Sequence, residues 1–207
     1  MSGTFPTAGF TTLGFRNNVT VRQTESVTGK SQRVKTGGQY WSLTLQSPPL
    51  ERSAFQELYS FIVAQDGSFE SFTISPPVIG STSGTASGEC QISNISDAQK
   101  AAGSSEIKIG NRFDSSPMSG TLKKGDFIHI GGHNKVYMLT SDVTFDGTSS
   151  IDVGIYPPLV QAIDTSSVNT VTYNSVPFTV HFTGDQQSFS IDPAGFYTYQ
   201  IEVREAL

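Results

Sequence analysis

The apolar positions of this chain recur mostly every second residue, a pattern that predicts strands. It is clearest from Tyr40 to Leu45, where Trp41, Leu43 and Leu45 fall on one side and Ser42 and Thr44 on the other. Further strands are expected from Phe69 to Ile74, from Phe127 to Ile130 and from Val136 to Leu139. Alternation returns at Ile151, Val153 and Ile155, and again at Phe178, Val180 and Phe182. A last set, Tyr197, Tyr199, Ile201 and Val203, alternates with Thr198, Gln200, Glu202 and Arg204 almost to the C-terminus. That strand needs a partner, and the first half of the chain supplies the candidates. Gly37-Gly38 marks a turn or bulge ahead of Tyr40, and Ser47-Pro48-Pro49 ends the strand because proline has no N–H for a ladder.

One stretch departs from the period of two. Leu50, Ala54, Leu58 and Ile62 recur every four residues, with Phe55 and Phe61 widening the stripe, so an amphipathic helix is expected from about Glu51 to Gln65. Ser53 and Gln56 are spaced for a capping box at its start, and Asp66-Gly67 ends it.

Residues 1–18 are Gly/Thr-rich with no sustained period, and read as an arm that something else must tie down. Pro76-Pro77 leads into Gly80 to Gly88, a Ser/Thr/Gly stretch of linker composition, and a second pair, Pro157-Pro158, comes about eighty residues later. Between them the strands of Phe127 to Ile130 and Val136 to Leu139 are joined across Gly131-Gly132-His133-Asn134 as a hairpin. The expected fold is therefore mainly β: a discontinuous β-sandwich with one amphipathic helix, plus an inserted small β-barrel-like domain. Its divisions are an N-terminal arm over residues 1–18, a split β-sandwich domain over 19–78 and 161–207, and the inserted domain over 79–160.

Composition narrows the function classes. The chain has 207 residues, 15% of them charged and 36% hydrophobic, which suits one core or two small ones and not a disordered polymer. The net charge is −5 and no Lys/Arg run exceeds Lys123-Lys124, so no nucleic-acid-specific site is expected. Nothing approaches the roughly 20 apolar residues of a membrane span, and the N-terminus lacks the basic and apolar regions of a secretory signal. The Asn-x-Ser/Thr triplets at Asn18 and Asn94 are accordingly read as chance matches. Cys90, the single cysteine, excludes an intrachain disulfide, and its neighbours offer no cation to activate a thiolate. The absence of disulfides suits a reducing cytoplasm.

The candidate chemistry is thin. His129 and His133 have a His-x₃-His spacing that binds zinc on a helix, but Gly131-Gly132 lies between them in a hairpin and no Glu follows the first. Both are read as surface or turn histidines. His181, between Val180 and Phe182, is expected to point away from the core. Gly80-Ser81-Thr82-Ser83-Gly84 resembles a serine elbow but carries Thr at the nucleophile position. Asp142 and Asp146 flank a turn at Gly147 and fit turn chemistry. The chain is therefore expected not to be an enzyme, with no catalytic, cofactor-binding or metal-binding residue and no cofactor. The aromatics Trp41, Tyr173, Tyr197 and Tyr199 are assigned to core packing. An alternative function, a carbohydrate-binding β-module for host attachment, requires an exposed aromatic platform, placed at Tyr137 or Tyr156.

One run is more specific. From Thr28 the chain reads Gly29-Lys30-Ser31-Gln32-Arg33, then Gly37-Gly38-Gln39-Tyr40-Trp41-Ser42-Leu43-Thr44-Leu45, then Pro48-Pro49-Leu50, the helix, and Gly67-Ser68-Phe69-Glu70-Ser71-Phe72. This resembles the N-terminal part of distal-tail-type (tail tip/baseplate) structural proteins of tailed bacteriophages. Leu122-Lys123-Lys124-Gly125-Asp126-Phe127-Ile128, Tyr156-Pro157-Pro158-Leu159 and the ending from Gly195 to Leu207 are similar to the same group, in the same order. The resemblance implies a homo-oligomeric ring subunit of the virion, often hexameric, assembled in the host cytoplasm and joining the tail tube to the hub or baseplate. It brings no catalytic residues.

Overall fold

The computed structural model describes residues 3–6, 9–111, 116–166 and 168–207. In chain order the elements are β1 (Thr12–Glu25), β2 (Ser31–Gln46), α1 (Arg52–Val63), β3 (Phe72–Ile74), β4 (Cys90–Ile92), α2 (Asp97–Lys100), β5 (Glu106–Asn111) and β6 (Ser119–Leu122). They continue with β7 (Phe127–Ile130), β8 (Val136–Leu139), β9 (Val143–Asp146), β10 (Ile151–Tyr156), β11 (Thr170–Thr172), β12 (Phe178–Phe182), β13 (Phe189–Ile191) and β14 (Tyr197–Glu205). The protein is mainly β, as the alternation predicts. The chain divides into two compact units: residues 1–73 with 179–207, and residues 74–178.

In the first unit the strand order is β1-β2-β14-β12-β3, with β13 pairing β14 beside that path. The C-terminal strand finds its partner in β2, in an antiparallel register from Gln200↔Gln46 to Arg204↔Ser42. Trp41, Leu43, Leu45, Tyr199, Ile201 and Val203 are all buried, so both strands present their apolar sets to one core. At the end of this ladder the Glu205 carboxylate takes over as acceptor from the Trp41 N–H, at 3.2 Å. Beyond Gln46 the chain keeps following β14: Ser47 N–H donates to Tyr199 O (3.0 Å), and Leu50 exchanges backbone bonds with Tyr197 (2.8 and 2.9 Å).

Helix α1 covers this unit with Phe55, Leu58 and Ile62, one step round from the expected stripe, so that Ala54 faces out. Its cap also differs. Glu51 is the N-cap and makes no side-chain capping bond, because Ser53 lies inside the first turn. The capping box forms instead at α2, a short helix that hydrophobic periodicity does not reveal, between Ser96 and Gln99. Phe55 stacks on Tyr197 at 4.6 Å, and Phe61 meets Phe72 edge-on at 5.5 Å.

The expected arm is tied to its own chain. Phe5 N–H donates to Thr73 O (2.8 Å), Thr73 N–H donates to Gly3 O (3.0 Å), and the Phe5 ring is buried against Phe61 and Phe72. From Thr12 the segment read as arm is strand β1, paired with β2 from Thr12↔Gln46 to Glu25↔Ser31. Polar residues alternate poorly there because most of β1 has no core to face. Residues 1, 2, 7 and 8 of that arm lie outside the described residues.

The second unit is a closed antiparallel barrel, β10-β5-β4-β11-β7-β8 and back to β10, with β6 and β9 as a separate pair. Closure leaves the barrel strands no free edge. The predicted hairpin of β7 and β8 has the expected bounds. The barrel is not complete at residue 160, since β11 pairs with both β4 and β7. Its interior holds Ile107, Ile109, Ile128, Ile130, Leu139, Val153 and Ile155, each at most 2% exposed.

The supposed linker from Gly80 to Gly88 belongs to this unit's packing. Thr85 N–H donates to Thr121 O (2.9 Å), and Ser87 exchanges two backbone bonds with Ser119 (2.9 and 3.0 Å). A Cβ on Gly84 would overlap the Thr121 carbonyl oxygen, and one on Gly120 would overlap the Thr85 carbonyl. Glycine here permits close backbone approach, not flexibility.

Candidate functional site

The histidines, the cysteine and the turn carboxylates each occupy a defined place, and they do not converge. The barrel's register decides the first case. Val171 pairs with Cys90 on one side and Ile130 on the other, so these three form one row. Cys90 and Ile130 are buried with Val171 in the barrel core. The next row, Thr172 with His129, alternates to the opposite face of the wall. Cys90 and His129 are thus separated by the sheet itself. Burial pushes the Cys90 thiol up to about 12, so it stays protonated and unreactive.

His129 is partly exposed, and His133 lies in the β7–β8 turn but is buried there. His133 is 4% exposed, and its Nδ1 lies 3.1 Å from the Tyr137 hydroxyl. That hydroxyl in turn accepts the Val160 N–H at 3.3 Å. His129 Nε2 lies 2.7 Å from the His133 carbonyl oxygen. Burial lowers both imidazoles, and for His133 the neighbouring His129 adds to the shift. Among the described residues, no group of three or more His, Cys, Asp or Glu side chains stands together as a metal site. The arrangement holds the β7–β8 hairpin to the segment after it; the glycine turn between the rings hid that packing from the sequence.

His181 is where the alternation placed it, off the core face beside buried Val180 and Phe182, where it accepts the Arg204 Nε–H at 2.7 Å. Burial and then the Arg204 charge lower its pKa. Asp146 takes up turn chemistry: the N–H groups of Ser149 and Thr148 hold its carboxyl well below the usual range. Asp142 accepts the Lys124 N–H and pairs with Lys123 Nζ, both at 2.9 Å.

The serine-elbow look-alike has a different use, and its partner is Asp126, from the Lys-Lys-Gly-Asp stretch that leads into β7. Asp126 accepts from Thr82 Oγ1 (2.5 Å), from Ser83 through N–H and Oγ (2.9 and 2.7 Å), and from the Lys123 N–H (2.9 Å). Burial opposes its charge, but these bonds together hold the carboxyl below the ordinary value. Thr82 and Ser83 therefore anchor the Asp126 carboxylate, each hydroxyl donating to one of its oxygens.

The aromatics divide. Trp41, Tyr173 and Tyr199 are buried and Tyr197 is half-buried. The platform imagined for a sugar loses Tyr137, which is fully buried, while Tyr156 is half-buried at the end of β10. Other apolar side chains remain on the surface. The exposed apolar side chains include Phe69 (81%), Val63 (56%) and Val27, and the β1–β2 hairpin is exposed along its whole outer half.

Residues 82–176 match the family model described as the B domain of the distal tail protein pb9. No curated protein matches the chain. The matched range falls within the barrel unit, whereas the longest motif run of the sequence resemblance, residues 29–72, falls in the other. The chain is similar to distal-tail-type phage structural proteins on both grounds, which supports a structural role in a phage tail.

Proposed function

We propose that this chain is a structural subunit of a phage tail tip or baseplate, forming a homo-oligomeric ring that joins the tail tube to the hub. The observation that carries the reading is the match of the barrel, residues 82–176, to a distal tail protein domain. Two further features support it. The candidate reactive groups are used in packing: Cys90 in the barrel core, His133 on Tyr137, and Thr82 and Ser83 on Asp126. The split unit ends on one side at β1, a largely exposed edge strand from which a neighbouring subunit can be joined.

In this reading the divided unit builds the ring and the inserted barrel is carried on it. Ring interfaces are heterologous, so each subunit presents two different patches. The subunit is made in the host cytoplasm and ends in the virion, without catalysing a reaction. Gold-labelled antibody against the chain tests the location directly. The label is expected at the distal end of the tail on purified particles, and particles that lack the chain by peptide mass spectrometry would refute the proposal.

A further inference from the structure

The outer half of the β1–β2 hairpin is built unlike the rest of its unit. Strand β14 pairs with β2 only from Ser42 to Gln46. The β1–β2 pairing nevertheless continues outward through Val19↔Gln39, Val21↔Lys35 and Arg22↔Val34 to Glu25↔Ser31. Every residue from Val19 to Gly38 is exposed. A two-stranded ribbon without a core is at most marginally stable on its own. This one is long, with Val27 at its tip and Val21 and Val34 along its faces.

Its charge is equally distinct. Residues 19–38 carry Arg22, Lys30, Arg33 and Lys35 against the single acid Glu25. The ribbon is therefore +3 in a chain of −5, which leaves −8 on everything else. The opposite sign is concentrated in the same unit. Residues 51–70, helix α1 and the turn after it, carry Glu51, Glu57, Asp66 and Glu70 against Arg52 alone. Glu51, Glu57 and Asp66 are exposed, and this segment also shows Val63 and Phe69 to solvent. One patch is basic with exposed valines, and the other is acidic with exposed apolar side chains.

We infer that the basic β1–β2 ribbon of one copy seats on the acidic α1 segment, residues 51–70, of a second copy. The inference rests on the ring reading above and names its two patches. A patch pair of opposite sign on one chain gives a head-to-tail contact, the kind that closes into rings. Charges that face each other across an interface also steer the approach and suppress wrong registers. The contact should weaken with salt, since exposed charges are screened beyond about 8 Å at physiological ionic strength.

A charge swap in the full chain tests it, with mass photometry as the readout. The variant R22E/K30E/R33E/K35E alters only exposed positions, so thermal melting should match the unmodified chain. Its assembled fraction should fall by about tenfold or more, as repulsion replaces attraction across the contact. The variant E51K/E57K/D66K should lose assembly similarly, and combining both sets in one chain should restore it. Assembly unaffected by ribbon reversal would overturn the inference, as would failure of the combined variant to recover. Duplex DNA binding that vanishes on ribbon reversal, with assembly unchanged, would overturn it in favour of a nucleic-acid arm. An unmodified chain that stays monomeric at low salt would instead remove the ring reading itself.

Discussion

At the scale of single residues, the side chains that look chemical are holding the barrel together, and for His133 this has a measurable consequence. Its ring is buried against the Tyr137 hydroxyl, and burial keeps both it and His129 below the ordinary imidazole value of 6.5. The folded barrel therefore keeps both rings neutral at a pH where the unfolded chain has begun to protonate them. The unfolded state binds more protons there, so this contribution is intact above about pH 6.5 and drains away as pH falls toward the lowered folded values. The melting temperature of the barrel should drop between about pH 7 and about pH 5.5. In the variant H129Q/H133Q that slope should flatten, whatever the variant's absolute stability; an unchanged slope would contradict the assignment. Little of this was legible in the sequence. The His-x₃-His spacing was visible, but whether a histidine four residues after another is exposed depends on which strand comes after it. Asp126 was harder still, because its partners Thr82 and Ser83 lie more than forty residues away in a stretch of linker composition.

At the scale of elements, alternation was a good guide wherever one face of a strand meets a core. The sets at Trp41, Leu43 and Leu45 and at Tyr199, Ile201 and Val203 are buried as their spacing says. The same rule fails for β1, whose outer half has solvent on both faces and so carries no pattern to read. Composition failed for Gly80 to Gly88 for a different reason: glycine serves both a loose chain and a chain pressed against another backbone. The two uses can be separated by substitution. Gly84→Ala should destabilise the barrel by about 1–3 kcal/mol, the usual cost of forcing atoms into packed structure, because the obstacle is the Thr121 carbonyl and not a movable side chain. Gly184→Ala, with nothing within 4 Å of the added methyl, should leave thermal unfolding unchanged. Equal melting of Gly84→Ala and the unmodified chain would restore the linker reading.

At the scale of the whole molecule, a split β unit carries an inserted barrel, and the two together resemble a phage tail component from different directions. The motif order of residues 29–72 speaks for the split unit, and the family match over residues 82–176 for the barrel. Domain boundaries were less legible than strands. The return from the barrel was expected at 161, before β11 is used, because a proline pair looks like a border even where the next strand still belongs to the barrel. An acidic chain with a basic ribbon has the means to bind copies of itself, and assembly into a closed ring is the central claim. Mass photometry of the purified full chain at low salt tests it most directly. A single dominant species at a fixed multiple of 22.2 kDa, ring-shaped by electron microscopy, is the predicted result; a monomer that persists at every concentration and salt condition would contradict it.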